Sequence, residues 1–253
     1  MCRMYVCKFN DFDPDFATEL EIRQGGDGNG YILLFPRKPH IPAPESTLVY
    51  KKKDFIIYKS PPRQIWNDYE YLDKVQPQCI LFHTRRATTK EVILEHTHPP
   101  IHNENQRFYI LHNGHDTYPT LVKMLAPCGF DTFITSILFN EVACKSLNKA
   151  LNALLSHHHT FIVFDSFTKF IYFVISPTGD FQHKNGIYAS EVHGGKDLYG
   201  IYRLNPHTWT FTTIKKIKPH PRIYYYYHPR TDYEVIEDHP IVDDDGIIVD
   251  WGY

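Results

Sequence analysis

No stretch of this 253-residue chain holds enough consecutive apolar residues to span a bilayer, and no basic segment followed by an apolar one stands at its start. The expectation is a protein with neither membrane span nor signal peptide, placed in the cytoplasm. Charge of one sign is scarce as well. Lys and Arg total 27 against 29 Asp and Glu, a formal net charge of -2. Without a global basic field, neither nucleic acid nor an anionic membrane is an expected partner. Cysteines number only five (Cys2, Cys7, Cys79, Cys128 and Cys144), odd in count and far apart. That scatter argues against a disulfide framework or a zinc site and suits reduced thiols. No internal repeat is visible. What remains is ordinary globular composition, 42% hydrophobic and 22% charged, enough for one large core or one domain with an appendage.

Strand signals stand at both ends and helical ones in the middle. MYVCKF reads as a first strand, followed by an acidic loop and a short helix. The turn GGDGNG at 25–30 leads into the strand YILLF, and TLVYKKKDFIIYKSPP reads as a hairpin with its lysines near the turn. QCILFHTR at 78–85 and RFYILHNG at 107–114 are apolar runs that end in polar residues, as buried strands do when they deliver side chains to a rim. PTLVKMLAPCGF at 119–130 reads as a short broken helix, and helical spacing resumes from Asp131. HTFIVFDSFTKFIYFVIS is a second hairpin, and GIYAS and LYGIYRL are further strands. The fold class expected is α+β. Residues 1–205 form the main domain, and residues 206–253, of different texture, form a short C-terminal extension packed on it. The tyrosines at 224–227 suggest base stacking, but their mixed-charge surroundings favour packing instead.

The cysteine directly behind Met1 is suggestive. Once Met1 is removed, Cys2 carries a thiol nucleophile and a free α-amine on one residue, and an amine that titrates near pH 8 can accept the thiol proton. Taken alone, position 2 is better read as the start of an ordinary strand. Read in order, however, Cys2, the GGDGNG turn, HTRRAT, HTHPP, HNG at 112–114 and Asp131–Thr132 resemble the glutaminase domain of class II glutamine amidotransferases, in the N-terminal-nucleophile hydrolase superfamily. The likeness covers roughly residues 2–190.

That resemblance implies a four-layer αββα sandwich and acyl transfer from the side-chain amide of glutamine or a related γ-glutamyl amide. Cys2 would be the nucleophile, its own amine the general base. The Asn113 side-chain amide and the Gly114 backbone N–H would form the oxyanion hole. Arg85 would hold the substrate α-carboxylate and Asp131 its α-ammonium, with Thr88 and Gly28 lining the pocket or shaping the turn. No cofactor and no metal is implied. A separate synthase subunit would receive the ammonia, and a homo-oligomer is allowed without being required. Departures from the family pattern are Arg86 and Lys90 in the segment that often covers the substrate, and Phe133 in place of an acidic residue. The alternative is a catalytically inactive relative used for binding or regulation. Against a metal reading, the adjacent His157, His158 and His159 are expected to cap a helix end, because neighbouring helical side chains diverge.

Overall fold

The computed structural model describes residues 2–24, 26–36, 41–86, 93–114, 131–157 and 159–219, apart from the side chains of residues 24 and 131, and the backbone of 241–242 and 248–250. The chain divides into two compact units, Met1–Pro221 and Arg222–Tyr253. Within the second, β14 (Ile241–Val242) and β15 (Ile248–Asp250) form an antiparallel pair.

The first unit is mixed α+β, with two antiparallel sheets and, among the described residues, four α-helices. The eight-stranded sheet runs β11 (Lys196–Asp197), β9 (Gln182–Lys184), β10 (Ile187–Ala189), β1 (Arg3–Lys8), β5 (Cys79–Thr84), β2 (Asn29–Leu34), β4 (Phe55–Ser60) and β3 (Leu48–Lys51). The five-stranded sheet runs β13 (Thr210–Lys216), β12 (Gly200–Asn205), β8 (Ile171–Ile175), β7 (Thr160–Asp165) and β6 (Phe108–Asn113). Because β12 and β13 pair along their length, residues on both sides of position 205 share one sheet.

Successive strand side chains point to opposite faces, and here both faces of most strands are buried. Met4, Val6, Leu81, Ile32 and Ile57 of the larger sheet meet Leu111, Ile162 and Phe173 of the smaller one in a core between the sheets. The alternate residues Tyr5, Cys7, Phe82 and Tyr31 pack under α1 (Pro14–Gln24) and α2 (Ile65–Val75). Phe108, Ile110, Phe161 and Val163 pack under α3 (Asp131–Ala143) and α4 (Leu147–Leu155). Burial on two faces explains why these strands read as continuous apolar runs rather than alternating ones.

Helix α2 was not foreseen. Its buried stripe of Ile65, Tyr71, Leu72 and Val75 is interrupted by Asp68, also buried, and a carboxylate in an apolar stripe hides the helical period. Tyr31, Tyr58 and Ser60 donate hydroxyl bonds of 2.8, 2.7 and 2.5 Å to that carboxylate. Burial still outweighs them and raises its pKa to about 6. The predicted broken helix at 119–130 lies outside the described residues.

Candidate functional site

Continuing the alternation beyond the apolar core shows where the polar residues go. On β6, Tyr109 and Leu111 face the inter-sheet core, so Asn113 follows them and His112 faces α3. On β5 and β4 the same count brings His83 and Lys59 to the inter-sheet face. Cys2 lies two residues before Met4 and is brought there too. Register joins these positions at one end of the larger sheet. Arg3 lies opposite Thr84 and Met4 opposite His83 on β1–β5, Gly30 opposite His83 on β2–β5, and Gly30 opposite Lys59 on β2–β4.

Cys2 is buried, at 7% exposure. Its Sγ accepts a hydrogen bond from the Arg86 backbone N–H at 3.5 Å. The strand it leads is held on the other side by Ser190, whose hydroxyl accepts from the Met4 N–H at 3.0 Å and whose own N–H donates to the Met4 carbonyl at 2.9 Å. Arg85 is buried, and its backbone is tied to the glycine turn: its N–H donates to Gly28 O at 2.9 Å, and its carbonyl accepts from Asp27 N at 3.0 Å. Gly28 has φ +133°, and a Cβ there would lie 2.7 Å from Thr97 Oγ1. A Cβ on Gly30 would lie 1.7 Å from the His98 carbonyl oxygen. The glycines therefore let the 97–98 segment lie directly on β2.

The HNG motif closes the site from the smaller sheet. His83 Nε2 lies 3.0 Å from the His112 carbonyl, and the His112 N–H donates to His98 Nδ1 at 3.1 Å. Because β5 pairs with β1, these bonds place the end of β6 beside the end of β1. Gly114 is required sterically, since a Cβ would stand 2.3 Å from His159 Cγ. On its other face the His112 ring bonds Thr132 Oγ1 through Nδ1 at 3.0 Å and His159 Nδ1 through Nε2 at 2.8 Å, and it stacks on Phe161. Thr132 fixes the start of α3, whose first residue is Asp131; the Asp131 side chain, Thr88 and Lys90 lie outside the described residues. His159 corrects the capping expectation. Helix α4 ends at Leu155, and His159, just before β7, serves as a partner of His112. Phe133 stands edge-on to His102.

Two buried bases were missed. Lys59 is 1% exposed, and its Nζ donates to the Glu95 carbonyl at 2.9 Å. Burial lowers its pKa to about 7; Glu95 opposes the shift and Arg85 adds to it. His83 is brought down to about 3, chiefly by burial and further by Arg85 and Lys59, while the bond to His112 O opposes. His98 is also held well below the ordinary imidazole range by burial and by His83, His112 and Arg85. Both rings are therefore neutral at pH 7, beside the cationic Arg85. The available signal was a base at the end of an apolar period-two run, as in Phe55–Ile57–Lys59.

Buried atoms lacking a hydrogen-bond partner among the described residues gather here: Asn113 Oδ1, Thr160 Oγ1, Thr84 Oγ1, Thr97 Oγ1 and His83 Nδ1. Each such group calls for an explanation, and a binding or catalytic role is one. An open cavity of about 580 Å³ lies elsewhere, between α1 and the β9–β10 hairpin, and none of the candidate residues lines it. Among the described residues, no group of three or more His, Cys, Asp or Glu is arranged to hold a metal, and no helix is long and apolar enough to cross a membrane. In comparisons with known proteins, no family model and no curated protein matches the chain.

Proposed function

We propose that the chain is a glutaminase-type amidohydrolase that releases ammonia from glutamine, or from a γ-glutamyl amide, through a thioester on Cys2. The observation that carries this reading is convergence. Cys2, Arg85 and Asn113–Gly114, far apart in sequence, come to one end of the inter-sheet space, joined by the β1–β5 register and the His83–His112 bond. The layering helix, sheet, sheet, helix supports reading the fold as an αββα sandwich of the N-terminal-nucleophile type.

In this mechanism the thiol gives its proton to the α-amine, and the sulfur attacks the amide carbon. The oxyanion that forms is stabilised by the Asn113 side-chain amide and the Gly114 N–H, each such donor contributing about 3 kcal/mol. The amine then protonates the leaving nitrogen; the C–N bond breaks and ammonia departs. Water adds to the thioester, its proton taken by the amine, and glutamate leaves as the thiol is restored. Arg85 supplies the planar donor pair for the substrate carboxylate, and Asp131 the charge for its ammonium. A separate synthase subunit is the proposed destination of the ammonia.

The scheme needs the α-amine of Cys2, so Met1 must be absent. The test is glutamate release from glutamine by protein whose intact mass lacks Met1, beside Cys2→Ala. Release abolished by the substitution supports the reading. A processed wild-type chain that releases nothing from glutamine or from a γ-glutamyl amide overturns it and leaves a protein that only binds.

A further inference from the structure

Among the described residues, strand β6 is one of the two edges of its sheet. In an antiparallel ladder, alternate residues of an edge strand turn both N–H and C=O away from the neighbour. His112 turns both of its groups toward the opposite sheet: its N–H reaches His98 Nδ1 at 3.1 Å, and its carbonyl lies 3.0 Å from His83 Nε2. The two imidazoles are stacked, with centroids 4.0 Å apart and planes at 13°. Backbone chemistry assigns their protons. An amide N–H only donates, so His98 Nδ1 carries a lone pair; a carbonyl only accepts, so His83 Nε2 carries hydrogen. His83 belongs to the strand paired with β1 and lies opposite Met4. His98 lies against β2 through Gly30.

We propose that His83 and His98 are positioning residues, a neutral stacked pair that grips both the N–H and the C=O of His112 and so sets Asn113 and Gly114 at the distance from Cys2 that the oxyanion requires. The proposal rests on the reading of Asn113 and Gly114 as oxyanion donors. It assigns the pair no proton transfer. Among the described residues no strand lies beyond β6, and the pair takes that place; because one ring stands on the nucleophile's sheet and the other lies against it, the pair transmits the position of one sheet to the other.

Two kinds of measurement test it on the full chain. The first is independent of activity. Histidine-ring ¹⁵N NMR at pH 7 should show His98 with a bare Nδ1 and His83 with a protonated Nε2, and His83→Ala or His98→Ala should speed amide exchange at residues 112–114. A cationic ring, the opposite tautomers or unchanged exchange would sink the proposal. The second is kinetic. Either alanine variant should lower kcat for glutamate release by up to about 10²- to 10³-fold, the loss seen when an oxyanion donor is removed, with KM little changed. Alkylation of Cys2 by iodoacetamide, a displacement that forms no oxyanion, should keep its wild-type rate. His98→Asn presents an oxygen near the Nδ1 position and His83→Gln an N–H near Nε2, and each should recover about tenfold of the loss. Equal losses in release and alkylation, or no recovery, would reduce the pair to a structural role and overturn the proposal. If processed wild type releases no glutamate, the functional reading falls, while the tautomers and amide exchange still decide whether the grip exists.

Discussion

The two ends of β6 solve one problem with different materials. At Phe108 the outward-facing backbone is closed mainly from α3: Asn140 Oδ1 accepts from the Phe108 N–H at 3.0 Å and its Nδ2 donates to the Phe108 carbonyl at 2.9 Å, a carbonyl that also accepts from Gln106 Nε2 at 2.8 Å. Beside it Arg107 makes a two-pronged pair with Asp165, at 2.9 and 2.7 Å. Asp165 also accepts from Phe167 N and Thr168 Oγ1. Burial pushes its pKa up, but these bonds prevail and hold it below the ordinary value. At His112 the closing groups come instead from β5 and the segment beside β2, and the surroundings hold buried bases and polar atoms without partners. The first end is anchored to the layer behind its own sheet, and its Arg107, Phe108 and Asp165 groups are matched. The second is anchored across to the other sheet and carries uncompensated polarity. Stability is built at one end, while the other, on the proposed function, gives some of it up to hold chemistry in place.

The largest expected effect lies at the second end. Asn113→Ala should reduce glutamate release by about 10²- to 10³-fold at nearly unchanged urea midpoint; a variant that unfolds in step with its lost activity would erase the contrast. Next is Asn140→Ala at the first end. It strips the Phe108 N–H of its acceptor and leaves the carbonyl only its bond from Gln106, and should cost about 2 kcal/mol in chemical denaturation, with release per folded molecule kept within about twofold. A loss of turnover as large as at Asn113 would mean the two ends are one unit.

The smallest effect is a slope. Lys59 has a folded pKa of about 7 against its ordinary 10.5, so between those values the unfolded chain binds more protons than the folded one. Stability contributed by this site therefore rises with pH across that window, by at most about 1.4 kcal/mol per pH unit. Lys59→Met lacks the rise, so the variant should gain on wild type as pH falls from about 10 to 7. Parallel stability curves would show that Lys59 carries no such penalty.

Strands were the most legible elements, because residues buried on both faces leave apolar runs that survive any arrangement of neighbours. The MYVCKF, YILLF, QCILFHTR and RFYILHNG segments all contain strands of the two sheets. Helix α2 was illegible because Asp68 stands in its buried stripe, and only the tertiary fold brings it the three hydroxyls that make that tolerable. The glycine turn and the polar strand ends marked the rim, and the order of motifs brought Cys2, Arg85, Asn113 and Gly114 forward as candidates. Their partners were hidden. Ser190 lies 186 residues from Met4, and the meeting of His83, His98 and His159 around His112 depends on which strands pair and which sheet edge is left open.

By itself the sequence determined the chemical types available and which faces must be buried, because side-chain polarity and period-two spacing are local. Only the tertiary structure decided which of sixteen histidines are neutral and bonded to backbone, which lysine is buried, and that one end of the inter-sheet space gathers them. Those properties belong to desolvation and to register between distant strands, and both come into being when the two sheets close on each other.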